Sequence, residues 1–231
     1  MTVTAPLHRA ALLASLAALT ACGGGGGDAA PAPAPTPPAA PAAPAPQVTL
    51  TVSNGAGVAG NIVITLEPTA TPVTVANFLQ YVNSGFYNGT VFHRHGRSAT
   101  GGAPATFVLQ GGGFAGPLTS TASFGLPKTT LAPIALEVGR GLSNVRYTVA
   151  MARTNVLNSA TSQFFINTTD NVFLDTSAGG YAVFGTVTAG REVVDAMVAA
   201  PCSLSSANFG STSVDCLPTP NLTITAAVQT R

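Results

Sequence analysis

Residues 47–53 alternate polar and apolar side chains, Gln-Val-Thr-Leu-Thr-Val-Ser, and Asn54-Gly55 follows. A period of two belongs to a strand with one buried face, and Asn-Gly is a hairpin turn signal. Asn61–Glu67 alternates again with β-branched residues, so the chain opens on two strands. The period then changes. Thr71-Pro72 has the form of an N-cap followed by a first-turn proline, and Val75, Phe78, Leu79 and Val82 fall on one helical stripe that Gly85 is placed to end. Short strand-like runs follow at Thr90–Arg94, Thr106–Gln110, Tyr147–Ala152, Gln163–Asn167 and Tyr181–Val187. Arg191–Ala199 is a second helical window with Val193, Val194 and Met197 inward, stopped by Pro201, and Leu222–Val228 alternates as a closing strand. Seven or eight short strands with two helices predict a mainly β domain, a barrel or a sandwich, and no internal repeat is visible.

The first 46 residues carry none of this patterning. Arg9, the apolar run Ala10–Leu19 and the small residues Thr20 and Ala21 form a secretory signal over residues 1–21. Leu19-Thr20-Ala21-Cys22 resembles the lipobox of bacterial lipoproteins, in which the cysteine is acylated and becomes the new N-terminus. Gly23–Gly27 comes next, and in Asp28–Pro46 eight Pro and nine Ala fill 17 of 19 positions. That stretch has nothing to bury and favours extended polyproline II, at ~3.1 Å per residue a reach of roughly 60 Å. Residues 22–46 therefore read as a lipid-anchored tether and 47–231 as the folded unit. The expected location is a periplasm-facing lipoprotein of the cell envelope. Gly23 in place of Asp after the cysteine favours the outer membrane.

Charge narrows the partners. Only 7% of residues are charged, nine Lys+Arg against eight Asp+Glu, which excludes the clustered basic face of a nucleic-acid binder or a polybasic membrane binder. A hydrophobic content of 46% excludes a chain disordered throughout. Three cysteines and three histidines are too few and too scattered for a structural zinc module. His93 and His95 stand one residue apart without further Cys or carboxylate partners, and read as ordinary polar residues. Gly111–Gly113 lacks a following Lys-Ser/Thr, so it reads as turn glycine, not a phosphate loop. With Cys22 acylated in an oxidising compartment, Cys202 and Cys216 are left to pair as a disulfide. No metal and no cofactor are expected.

Several segments resemble the cyclophilin-type peptidyl-prolyl isomerases, especially their bacterial periplasmic branch. They are Thr71–Phe78, Gly85–Arg94 with its Phe-His-Arg, Phe107–Phe114, Val149–Arg153, Ser159–Asn167, Phe173–Asp175 and Tyr181–Gly185. Order and most spacings fit, over roughly residues 60–200. The resemblance implies an eight-stranded antiparallel barrel closed by two helices, with the active groove on its outer face. It implies proline-containing polypeptides as substrates, and a monomer is expected. By the same resemblance Arg94 is catalytic, and Phe107, Val108, Phe165 and Leu174 form the proline pocket. Gln110, Ala152, Arg153 and Gln163 hold the substrate backbone, with Phe173 and Tyr181 on the rim.

Four departures from the family pattern stand out. His95–Thr106 is longer than the tight loop of most members. Val108 replaces a common Met, and Phe173 replaces the Trp of many eukaryotic members. Pro201–Pro220, which carries both Cys202 and Cys216, has no obvious counterpart. The extra residues beside Arg94 keep a second expectation open, that the domain is a catalytically weak module that only docks proline-containing segments.

Overall fold

The computed structural model describes residues 43–99, 103–118, 124, 126–204 and 214–231; the expected signal sequence, Cys22 and most of the expected tether lie outside them. Among the described residues no helix is long and apolar enough to cross a membrane. The described residues form ten strands and two α-helices in the order β1 (Gln47–Ser53), β2 (Ala59–Leu66), α1 (Pro72–Asn83), β3 (Thr90–Ser98), β4 (Ala105–Ala115), β5 (Thr148–Met151), β6 (Phe164–Asn167), β7 (Val183–Ala189), α2 (Arg191–Ala199), β8 (Cys202–Leu204), β9 (Cys216–Pro218) and β10 (Leu222–Gln229). Two short 3-10 turns, Val172–Asp175 and Ser177–Gly179, sit between β6 and β7.

Eight strands close on themselves in the order β10-β1-β2-β7-β5-β6-β4-β3, because β3 pairs back onto β10. Every pairing is antiparallel. Closure leaves no free edge in the barrel. β9 joins the far end of β3 through His95 opposite Cys216, and β8 pairs with β9.

Alternation fills the interior. Val48, Leu50 and Val52 of β1 and Ile62, Ile64 and Leu66 of β2 are fully buried. Phe78, Tyr81 and Val82 of α1 and Val194 and Met197 of α2 belong to the same core cluster. Phe78, Tyr87 and Phe164 meet there with ring centroids 5.3–5.5 Å apart, and tilted or edge-on aromatic pairs of this kind favour one packing over others.

Three local readings need correction. Thr71 does not cap α1 with its side chain; its hydroxyl donates to the Glu67 carbonyl. The cap comes from Glu137, whose carboxylate accepts the N–H groups of Val73 at 3.3 Å and Thr74 at 2.8 Å, and the Thr74 hydroxyl at 2.8 Å. Residues 95–98 and 105–106 are not loop but extensions of β3 and β4, with Arg97 opposite Thr106 and Ser98 opposite Ala105. On α2 the expected inward set holds: Val194 and Met197 are buried and Val193 packs half-buried against the same core. Tyr147 and Tyr181 stand outside the strands assigned to them, beside β5 and β7.

Candidate active site

β3 delivers Arg94 to the outer face through a bulge. Phe92 pairs with Gly111, yet Arg94 pairs with Gln110, so two steps along β3 match one along β4. Strict alternation would send Arg94 inward after Phe92, which is fully buried in the core. The extra residue, His93, reverses the sense and sets the guanidinium beside Gln110. Bulges re-aim side chains in this way next to active sites.

Alternation in the neighbouring strands builds an apolar surface on the same outer face. Leu109, Val149, Phe164, Ile166 and Phe184 point into the core, so Val108, Ala150, Phe165 and Val183 point out. With Leu174 they form a second cluster, against which Phe107, Leu142, Ala152 and Tyr181 pack half-buried. A cavity of about 140 Å³ opens here, lined by Arg94, Phe107, Val108, Gln110, Ala152, Arg153, Phe165, Leu174 and Tyr181. Nine residues singled out by the sequence thus share one wall. Gln163 lines an adjoining, wider depression with Arg94, Gln110 and Asp215. Phe173 is 57% exposed, its ring 6.1 Å from that of Phe107 at the cavity edge.

A polar chain fixes the guanidinium. Arg94 Nη1 donates to Gln110 Oε1 at 2.8 Å, and Gln110 Nε2 donates to Gln163 Oε1 at 2.9 Å. Arg94 Nε donates to Asp215 Oδ2 at 2.7 Å, and the other Asp215 oxygen accepts the Arg97 backbone N–H at 2.6 Å. Among the described residues Nη2 makes no hydrogen bond. Arg153 differs. Its guanidinium donates to the carbonyls of Thr154, Ala178 and Gly180 and stacks 4.6 Å from the Tyr181 ring centre. Those bonds brace it against the rim while it lines the cavity.

His93 and His95 are buried. Burial lowers both to a pKa of about 4, assisted at His93 by Arg94 and at His95 by Arg97, and opposed at His93 by a backbone hydrogen bond with Val91. His93 packs edge-on against the Phe114 and Phe124 rings at 4.8 and 5.8 Å. His95 lies beside Cys202 and Cys216, but both sulfurs are committed to a disulfide, with Cα atoms 5.6 Å apart.

Two residues of this site went unnoticed in the sequence. Asp215 is separated from Arg94 by 121 positions, and no local pattern links them. Gly96 lies opposite Val108, where a Cβ would come 2.5 Å from Val108 Cγ2 and 3.3 Å from Arg94 Cζ. Only glycine lets both side chains lie across the strand. A lone glycine inside a strand run was the available signal.

The family model for the cyclophilin type peptidyl-prolyl cis-trans isomerases matches residues 48–227. The chain belongs to this family. It is 49% identical over 144 residues to peptidyl-prolyl cis-trans isomerase cyp18 of Streptomyces antibioticus, a match covering 60% of this chain and 78% of that protein. It is 45% identical over 141 residues to peptidyl-prolyl cis-trans isomerase B of Escherichia coli K12, covering 59% and 77%. A crystal structure of a cyclophilin type isomerase from Cryptosporidium parvum, 21% identical, superposes with a TM-score of 0.58 over 81% of this chain and 98% of that one. The same protein solved in the presence of the dipeptide Ala-Pro gives a TM-score of 0.57 at 20% identity over 80% and 99%. At that identity the likeness is one of fold: the closed eight-stranded barrel with two helices is the cyclophilin barrel. Membership makes the enzyme class peptidyl-prolyl cis-trans isomerase.

Proposed function

We propose that this cyclophilin isomerises X–Pro bonds in exported polypeptides, acting from a lipid tether in the bacterial envelope. The observation that carries the catalytic part is the juxtaposition of a fixed guanidinium with an apolar outer cavity. Rotation about an X–Pro bond faces a barrier of roughly 18–20 kcal/mol, because the C–N bond has partial double-bond character. In the twisted transition state conjugation is broken, and the proline nitrogen regains its lone pair and accepts a hydrogen bond. A ring held against Val108, Phe165 and Leu174 would bring that nitrogen to Arg94, which then binds the twisted form more tightly than either planar one. Gln110 and Gln163 offer amide groups to the backbone on the other side of the bond. No covalent step is required.

The envelope part rests on the signal and lipobox pattern of residues 1–22, and the Cys202–Cys216 disulfide suits an oxidising compartment. The test follows isomerisation of a proline-containing tetrapeptide by the full chain in detergent. Arg94→Lys should lose much of kcat/KM and Arg94→Ala more, with peptide affinity falling less than turnover, because ammonium lacks the planar fork and the lost contact belongs to the transition state. Wild-type turnover in Arg94→Ala would leave a proline-binding module without this chemistry.

A further inference from the structure

Gln110 alone does not define where Arg94 points. A hydrogen bond at Nη1 leaves the guanidinium plane free to swing about that contact, and the side chain has considerable rotamer freedom to lose. A second bond at a different nitrogen of the same plane removes the swing. Asp215 supplies it, at Nε, in an ion pair whose carboxylate side chain is only 9% exposed. The carboxylate is itself held: its second oxygen accepts from the Arg97 backbone, and its neighbour Cys216 faces His95 across the ladder and is tied to Cys202. The residues flanking Arg94 on β3 and the residue it bonds are thus stapled into one block.

We propose that Asp215 is a positioning residue for Arg94, and that the Cys202–Cys216 disulfide serves this active site by holding Cys216, and with it the adjoining Asp215, in place. Asp215 directly precedes Cys216 of the disulfide. It does no chemistry on the substrate. It fixes the one group that does, and a small misplacement of a catalytic group is costly to rate. The inference rests on the isomerase reading above.

The experiment compares full chains in detergent: wild type, Asp215→Asn, Asp215→Ala, the Cys202→Ser/Cys216→Ser pair, and that pair combined with Asp215→Ala. Asp215→Ala is expected to lose on the order of tenfold in kcat at nearly unchanged KM. Asp215→Asn, which keeps an acceptor but not the charge, should fall between. The cysteine pair should approach Asp215→Ala and add little to it, since groups acting through one contact are not additive. A second readout follows the Nε–H resonance of Arg94 by NMR, which should exchange slowly with water in the wild type and rapidly in both Asp215 variants. A wild type that does not isomerise would sink the functional reading itself. An active wild type matched in kcat by Asp215→Ala would overturn only the positioning role. Should Asp215→Ala fail to fold, Asp215→Asn decides: full turnover with an unchanged Arg94 resonance counts against the proposal.

Discussion

Gly96 shows how a residue with no side chain shapes the site. Val108 lies over it on the cavity side, and the Arg94 guanidinium carbon lies within contact range of where its Cβ would be. Gly96→Ala should push both neighbours, and kcat/KM should fall on the order of tenfold while the near-ultraviolet circular dichroism of the barrel is kept. An alanine variant as active as wild type would mean that Val108 and Arg94 do not need this space. His93 and His95 make a second prediction, one of stability. Their folded pKa of about 4 lies below the unfolded value of 6.5. Above pH 6.5 neither state takes up the proton, and below about 4 both do. Between them the unfolded chain binds protons that the folded one excludes, so stability falls with pH by at most about 1.4 kcal/mol per unit per histidine. Denaturant midpoints measured from pH 7 to 4 should fall across this window, and His93→Phe should flatten part of the fall. Turnover in the folded enzyme should not follow either titration.

At the scale of elements, α1 depends on a partner far from it in sequence. Glu137 satisfies the Val73 and Thr74 N–H groups and is itself buried. Glu137→Ala would leave those donors unmet at the positive end of the helix, and about 2 kcal/mol of stability should be lost. Thr71→Ala, which removes a single hydroxyl bond to Glu67, should cost less; the reverse ranking in urea melts would refute the assignment. The same contrast explains what the sequence could disclose. α1, α2, β1, β2, β6 and β10 carry their own period, because each has one face in the core. Phe164 and Phe165 even divide as a strand requires, one into the core cluster and one into the outer cavity cluster. The outer half of β3 carries no such period: Gly96-Arg97-Ser98 looks like turn, and its strand character comes from pairing with β4. The bulge at His93 is equally silent, since two residues opposite one can be seen only when both strands are present. Asp215 was hidden for the same reason as Glu137, a polar contact made across the fold.

Over the whole molecule, the proposed tether raises a separate prediction. With Cys22 acylated, the protein should sediment with membranes, and Cys22→Ser should accumulate as unprocessed precursor; a wild-type chain found wholly soluble with its first residues intact would refute the anchor. The barrel itself has a seam. Gln47 donates its backbone N–H to the Arg231 carbonyl at 3.1 Å, and Thr230 donates back to Gln47 at 2.8 Å, so the strand that enters the fold and the strand that leaves it are knit at their ends. Where the polypeptide starts is then a matter of bookkeeping for the barrel: Gln47 and Arg231 can be joined by a short linker and the ring cut at the Asn54–Val58 turn between β1 and β2, giving a circular permutant with the same strand order. Such a permutant should isomerise its peptide as the native chain does, and any attachment moved to the C-terminus should leave from the same point on the barrel as residues 43–46 do.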